Sequence, residues 1–224
     1  MNIYNILEYI FIGELMTKKI NDIKRIIFPN KKINIFALCI LIFGIIAGAI
    51  FVNIIGLNDK NLVLDKIKLF IDNINSGSLD SIELFKNSIS INFIYIIVIW
   101  LLGLTMIGLI FNIFLLFIKG FVFSFSIASF ILTYGYKGII LSLIYLIFGQ
   151  LLNIIVILMI SIYSVIFSIE LLKVIFKDNN NSIKKYIKNY LIIILIAIII
   201  SIISSLSEAF ILPSLIKLII KLFI

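Results

Sequence analysis

From Asn92 to Ile169 the chain runs 78 residues with only two charged side chains, Lys119 and Lys137. A soluble core cannot absorb such a stretch, because no water-facing side would remain to cover it. A helix needs about 20 mainly apolar residues to cross a bilayer. The block is too long for one crossing and suits three. Lysine–glycine junctions at Lys119-Gly120 and Tyr134 to Gly138 are the expected breaks. Spans are therefore expected at 92–118, 120–136 and 138–160, the last free to run on to Ile169.

The rest of the chain agrees. Its 224 residues are 63% hydrophobic, with mean hydropathy +1.28, which describes an integral membrane protein bathed in lipid. Apolar runs at 33–55 and 190–212 complete an all-α, polytopic helical bundle of about five spans. Gly44 and Gly48 in the first span form a small-xxx-small pair that admits a close helix neighbour. Pro213 is expected to close the last span, and Leu215 to Ile224 then forms a short amphipathic tail.

Two segments fall outside the spans. Residues 1–32 carry Ile3, Ile6, Leu7, Ile10 and Phe11 at helical spacing, beside acids and lysines. An amphipathic helix is expected there, lying on the membrane surface or packed beneath the bundle. No secretory leader is expected, since the segment is too long and no Ala-x-Ala site follows. The connection 56–91 is polar, with Val63, Ile67, Phe70, Ile71 and Ile74 on one helical face. It reads as an amphipathic helix, a turn at Asn75 to Ser78 and a second helical piece. That helix is either a lid resting on the bundle or a docking surface for a partner, with Ile67, Phe70 and Ile71 as the anchor.

The net charge is +8, but the basic residues flank apolar runs. This is a topology signal and offers no basic face for nucleic acid. With the N-terminus inside, twelve of the nineteen positive residues fall on inner segments. The expected arrangement is N-in and C-out, with 1–32 cytoplasmic and 56–91 extracytoplasmic.

Catalytic chemistry finds no foothold. The chain has no histidine and one cysteine, Cys39, expected to be a small buried apolar residue. There is no phosphate loop, zinc motif or nucleophile elbow, and its serines have no histidine to activate them. No cofactor or metal is expected, and the protein is not expected to be an enzyme. Three polar residues within apolar runs stand out. Gln150, beside Gly149, should hydrogen-bond across the bundle. Glu208 is either a buried anchor or an interface carboxylate, and Lys119 is likewise either such an anchor or a side chain that snorkels to the inner surface.

Several stretches together resemble the stage II sporulation protein M family. They are FGIIAGAIFVN at 43–53, WLLGLTMIGLIFNIFLLFIKGFVFSFSIASFI at 100–131, GYKGIILS at 135–142, KNY at 188–190 and SSLSEAFILPSLIKLI at 204–219. The family usually has proline before the glutamine where this chain has Gly149-Gln150. The resemblance implies a non-catalytic scaffold of the sporulation septum or engulfing membrane. Its implied partners are stage II sporulation proteins P and D, extracytoplasmic wall hydrolases, together with membrane lipids and, as an open option, further copies of itself. It carries over Gly44, Gly48, Lys119, Gln150 and Glu208 as structural determinants. A membrane subunit of a transporter is the alternative function.

Overall fold

The computed structural model describes residues 30–177 and 183–223. The amphipathic reading of residues 1–29 lies outside the described residues. Eight α-helices and two π-helical turns make up the described chain, in the order α1 (Lys31–Ile54), α2 (Leu57–Ser76), α3 (Ser81–Gly103), α4 (Gly108–Tyr134), α5 (Tyr136–Ile144), a π-turn (Tyr145–Gln150), α6 (Leu151–Lys177), α7 (Ile183–Leu206), a second π-turn (Ser207–Ile211) and α8 (Leu212–Phe223). Five continuous helical rods are long and apolar enough to span a membrane: Lys31–Ile54, Ser81–Gly103, Gly108–Tyr134, Tyr136–Phe176 and Tyr186–Lys221. The protein is an all-α, multi-pass membrane bundle.

Local chemistry explains where the rods start and stop. Asn30 caps α1, its side chain accepting from the amides of Lys32 at 3.0 Å and Ile33 at 3.5 Å. Gly77 ends α2 in the left-handed region, with φ 75°, which glycine adopts without a Cβ clash. Asp80 then caps α3, accepting from the Ile82 amide at 2.8 Å. The turn from α3 into α4 is held by Thr105, whose hydroxyl donates to Leu102 O at 2.8 Å and accepts from the Gly108 amide at 3.0 Å.

That turn corrects the expected division of the central block. The chain breaks at Leu104–Ile107, and α4 runs without interruption through Lys119-Gly120. Gly120 works as a contact surface: a Cβ there would approach Leu41 O and Ile45 N of α1. Gly44 and Gly48 meet α4 from the other side. A Cβ on Gly44 would collide with the backbone of Phe117, and one on Gly48 with the backbone of Phe121 and with Ser124 Oγ. Three small residues thus let α1 and α4 pack backbone to backbone, as membrane helices do in the absence of a hydrophobic drive between them.

Span two accordingly begins at Ser81, so the connection between the first two rods is shorter than the expected 56–91. The last rod also differs. It does not end at Pro213 but continues to Phe223. The π-turn shifts the register, with Leu212 donating to Ser207 O five residues back. Proline at the second position of α8 lacks the amide that an uninterrupted α-ladder would require. Cys39 is exposed on α1, correcting its expected burial.

The core divides into two apolar clusters. The larger joins Ile96 and Ile99 of α3, Ile157 and Ile160 of α6, and Tyr190 and Ile193 of α7. The smaller joins Ile71 and Ile74 of α2 to Leu212, Ile216 and Ile220 of α8, with Phe130 and Leu141 beside them. This second cluster clamps the amphipathic α2 across one end of the bundle.

Candidate functional site

The two π-turns face each other. Each contains one extra residue per turn, which leaves backbone groups without their usual partners and re-aims side chains. Here the vacancy is used for contact. Ser207, in the second π-turn, donates its hydroxyl to Phe148 O in the first, at 2.7 Å. The stitch brings Gln150 and Glu208 together, although 58 residues separate them in sequence.

Glu208 is the centre of a polar knot. Its Oε2 accepts from Ser88 Oγ of α3 at 2.5 Å, and its Oε1 accepts from Gln150 Nε2 at 3.2 Å. Ser88 Oγ also lies 3.2 Å from Ser205 Oγ. Asn92, one turn below Ser88, donates to Ser205 Oγ at 3.2 Å, and Asn153 of α6 donates to the Asn92 side-chain carbonyl. Four segments therefore converge: α3, the first π-turn with the start of α6, the end of α7 and the second π-turn. Asn92, Asn153 and Ser205 are buried. Such a network is retained only when its members find partners, because an unpaired amide in hydrocarbon costs several kcal/mol.

Lys119 lies in the middle of α4, eleven residues beyond its first residue, and not at a membrane boundary. A mid-helix position fits the anchor reading of Lys119 and not the boundary one. Its ammonium sits 5.6 Å from the centroid of the Tyr95 ring, within range of a cation–π attraction. Lys119 and Glu208 are both partly buried in the bundle, and no direct ion pair joins them among the described residues.

A pocket of about 430 Å³ opens beside the knot. Val63, Lys66, Ile67 and Phe70 of α2 form one wall; Phe125, Ser126, Ser129 and Phe130 of α4 form another. Tyr145, Leu212 and Glu208 complete it from the π-turns and α8, with Leu84 of α3. Its surface is mainly apolar, and Glu208 is the only acidic group among the described lining residues.

The other expected site residues lie elsewhere. Gly44 and Gly48 belong to the α1–α4 seam and meet neither knot nor pocket. Ile67 and Phe70 face the bundle, and Ile71 is only 5% exposed. The outer face of α2 instead presents Leu62 and Leu69, 61% and 59% exposed, among Asp65, Lys66 and Lys68. Ser88, Tyr145 and Ser207 have roles that sequence reading missed. A signal existed for Ser88, which stands four residues before Asn92 on one helical face. Nothing in the sequence pairs Ser207 with Phe148, since that contact needs both π-turns. Among the described residues, no three acidic or cysteine side chains gather as a metal centre would require.

The site consists of hydrogen-bonded polar groups and apolar walls. It can hold a ligand or charge, or lock helices in register. Residues 37–213 match the sequence model of the family described as Stage II sporulation protein M. No curated protein and no solved structure shows significant similarity to the chain.

Proposed function

We propose, because this chain belongs to the stage II sporulation protein M family, that it is a non-catalytic scaffold of the endospore engulfment machinery. In this reading it tethers extracytoplasmic wall hydrolases, the stage II sporulation proteins P and D, to the septal or engulfing membrane. It contributes surfaces, and its partners contribute the peptidoglycan cleavage. The observation that carries the reading is the clamped helix α2. Ile71 and Ile74 fix it to α8, and its opposite face offers Leu62 and Leu69 among alternating charges. A rigid, half-apolar helix outside the spans is the kind of element that peptide-recognition surfaces use.

The reading needs α2 on the extracytoplasmic side. The helix breaks place Lys119 within a span, and outside the spanning rods Lys18, Lys19, Lys24, Arg25, Lys177, Lys184 and Lys185 fall on inner segments against Lys60, Lys66 and Lys68 on the outer one. The balance still favours N-in and C-out. Single cysteines at positions 72 and 173, introduced after Cys39→Ser, are expected to react from opposite sides of the membrane, with 72 outside. Labelling of both from the same side would remove the basis for docking on α2.

Co-purification tests the scaffold itself. Leu62→Asp with Leu69→Asp changes only exposed positions, so the membrane-inserted protein should keep its wild-type amount. Capture of the hydrolases from sporulating membranes should fall about tenfold, the loss expected when an interface anchor worth more than about 1.4 kcal/mol is removed. Wild-type capture by the double variant would exclude this face.

The transport-linked alternative is favoured by one observation, the meeting of two interrupted helices at an intramembrane carboxylate. Transporter sites are built from that combination.

A further inference from the structure

We propose that the pocket between α2 and the bundle is a binding site for a small amphipathic organic cation, with its ammonium end at Glu208. The site is separate from the outer face of α2 and stands whether or not that face docks a hydrolase. Its volume, about 430 Å³, falls in the range of small-molecule sites, which are mainly apolar with a few placed polar groups.

The charge of the ligand follows from Glu208. A carboxylate offers about four acceptor positions. Ser88 and Gln150 use one on each oxygen, and both are neutral donors. Capacity remains on each oxygen for a charged one. Lys68 and Lys173 are engaged by other acids, Asp65 and Glu170. Lys119 stands against Tyr95 and does not line the pocket. An ammonium entering the pocket therefore finds one acidic lining group, Glu208, with room for a further donor, in surroundings that screen poorly.

The body of the ligand follows from the walls. Phe70, Phe125, Phe130 and Tyr145 line the pocket, and Phe130 and Tyr145 lie with ring centroids 5.5 Å apart. Aromatic faces suit both an apolar body and an adjoining cationic group. Lys66 is the other charged lining residue, and it is exposed on α2. It disfavours a second positive charge at that end, which selects a monocation. Ser126 and Ser129 add hydroxyls but no charge.

The test uses three probes of matched shape: 1-naphthylmethylammonium, 1-naphthalenemethanol and 1-naphthoate. Each is titrated by calorimetry into the full chain in lipid nanodiscs. The ammonium should bind saturably, at least tenfold tighter than the alcohol, and the carboxylate should not bind. Glu208→Gln should erase the preference for ammonium over alcohol. Val63→Phe, which fills the α2 wall away from the polar knot, should weaken the ammonium and the alcohol alike while the protein keeps its thermal stability. Equal binding of ammonium and alcohol to the native chain, or tightest binding of the carboxylate, would overturn the proposal. So would an ammonium preference that survives Glu208→Gln, or absence of saturable binding to folded protein. If Glu208→Gln fails to fold, the native probe series and the Val63→Phe variant still decide.

Discussion

Gly44→Leu combined with Gly48→Leu is expected to abolish the folded bundle. The cause is geometric: a Cβ at either position already collides with the backbone of α4, at Phe117 and Phe121. Backbone cannot rotate away as a side chain can, so α1 must move off α4. Overpacking a well-fitted core costs about 1–3 kcal/mol per site, and the two positions share one seam, so their effects will couple. Gly44→Ala alone should already lower the thermal midpoint in detergent. Size-exclusion profiles and thermal unfolding of the purified variants measure the effect. Unchanged stability of the double leucine variant would mean that this face of α1 meets lipid and not α4.

Changing Ile67, Phe70 and Ile71 together to serine is expected to release α2 from the bundle. Ile71 is nearly inaccessible and touches the α8 cluster; Ile67 and Phe70 pack against the same cluster. Truncating a buried isoleucine costs about 2–5 kcal/mol, and placing a hydroxyl there adds the penalty of an unpaired polar group. The connection 55–80 contains Lys60, Lys66 and Lys68, so limited trypsin digestion should cut it rapidly in the variant and slowly in the native chain. The naphthyl probes should lose their site as well, because α2 supplies one wall of the pocket. A variant that resists trypsin yet no longer captures the wall hydrolases would show that these three residues serve docking and not tethering.

The two experiments touch different links between sequence and structure. The small-residue spacing of Gly44 and Gly48 was legible as a contact signal, because a four-residue repeat marks one face of a helix whatever lies opposite. The identity of the opposite face was not legible. Gly120 looked like a helix breaker beside Lys119, since glycine next to a charge marks many turns. In α4 it is instead the complement of the α1 glycines, and only the approach of Leu41 and Ile45 makes that role visible. Similarly, the apolar face of α2 was readable from periodicity, but periodicity does not say whether such a face rests on its own bundle or on a partner.

The site was half legible for a related reason. Glu208 and Gln150 stand out because a polar group in an apolar run is expensive wherever it ends up. Their meeting depends on two π-turns, each of which inserts one residue into a helical repeat. No composition or spacing rule announces those insertions, and Pro213 seemed to end the rod that the second turn lets continue.

The sequence by itself determined that this protein is a membrane bundle of about five spans with no histidine in the chain, because hydropathy and residue type are local properties that a bilayer reads directly. The tertiary structure alone decided which helices touch, that Lys119 and Glu208 are both partly buried in the bundle, and that Glu208 borders a pocket. Those outcomes depend on the relative placement of rods far apart in the chain. Within lipid, that placement is set by backbone fit and hydrogen bonding, because burial of apolar surface no longer distinguishes one face from another.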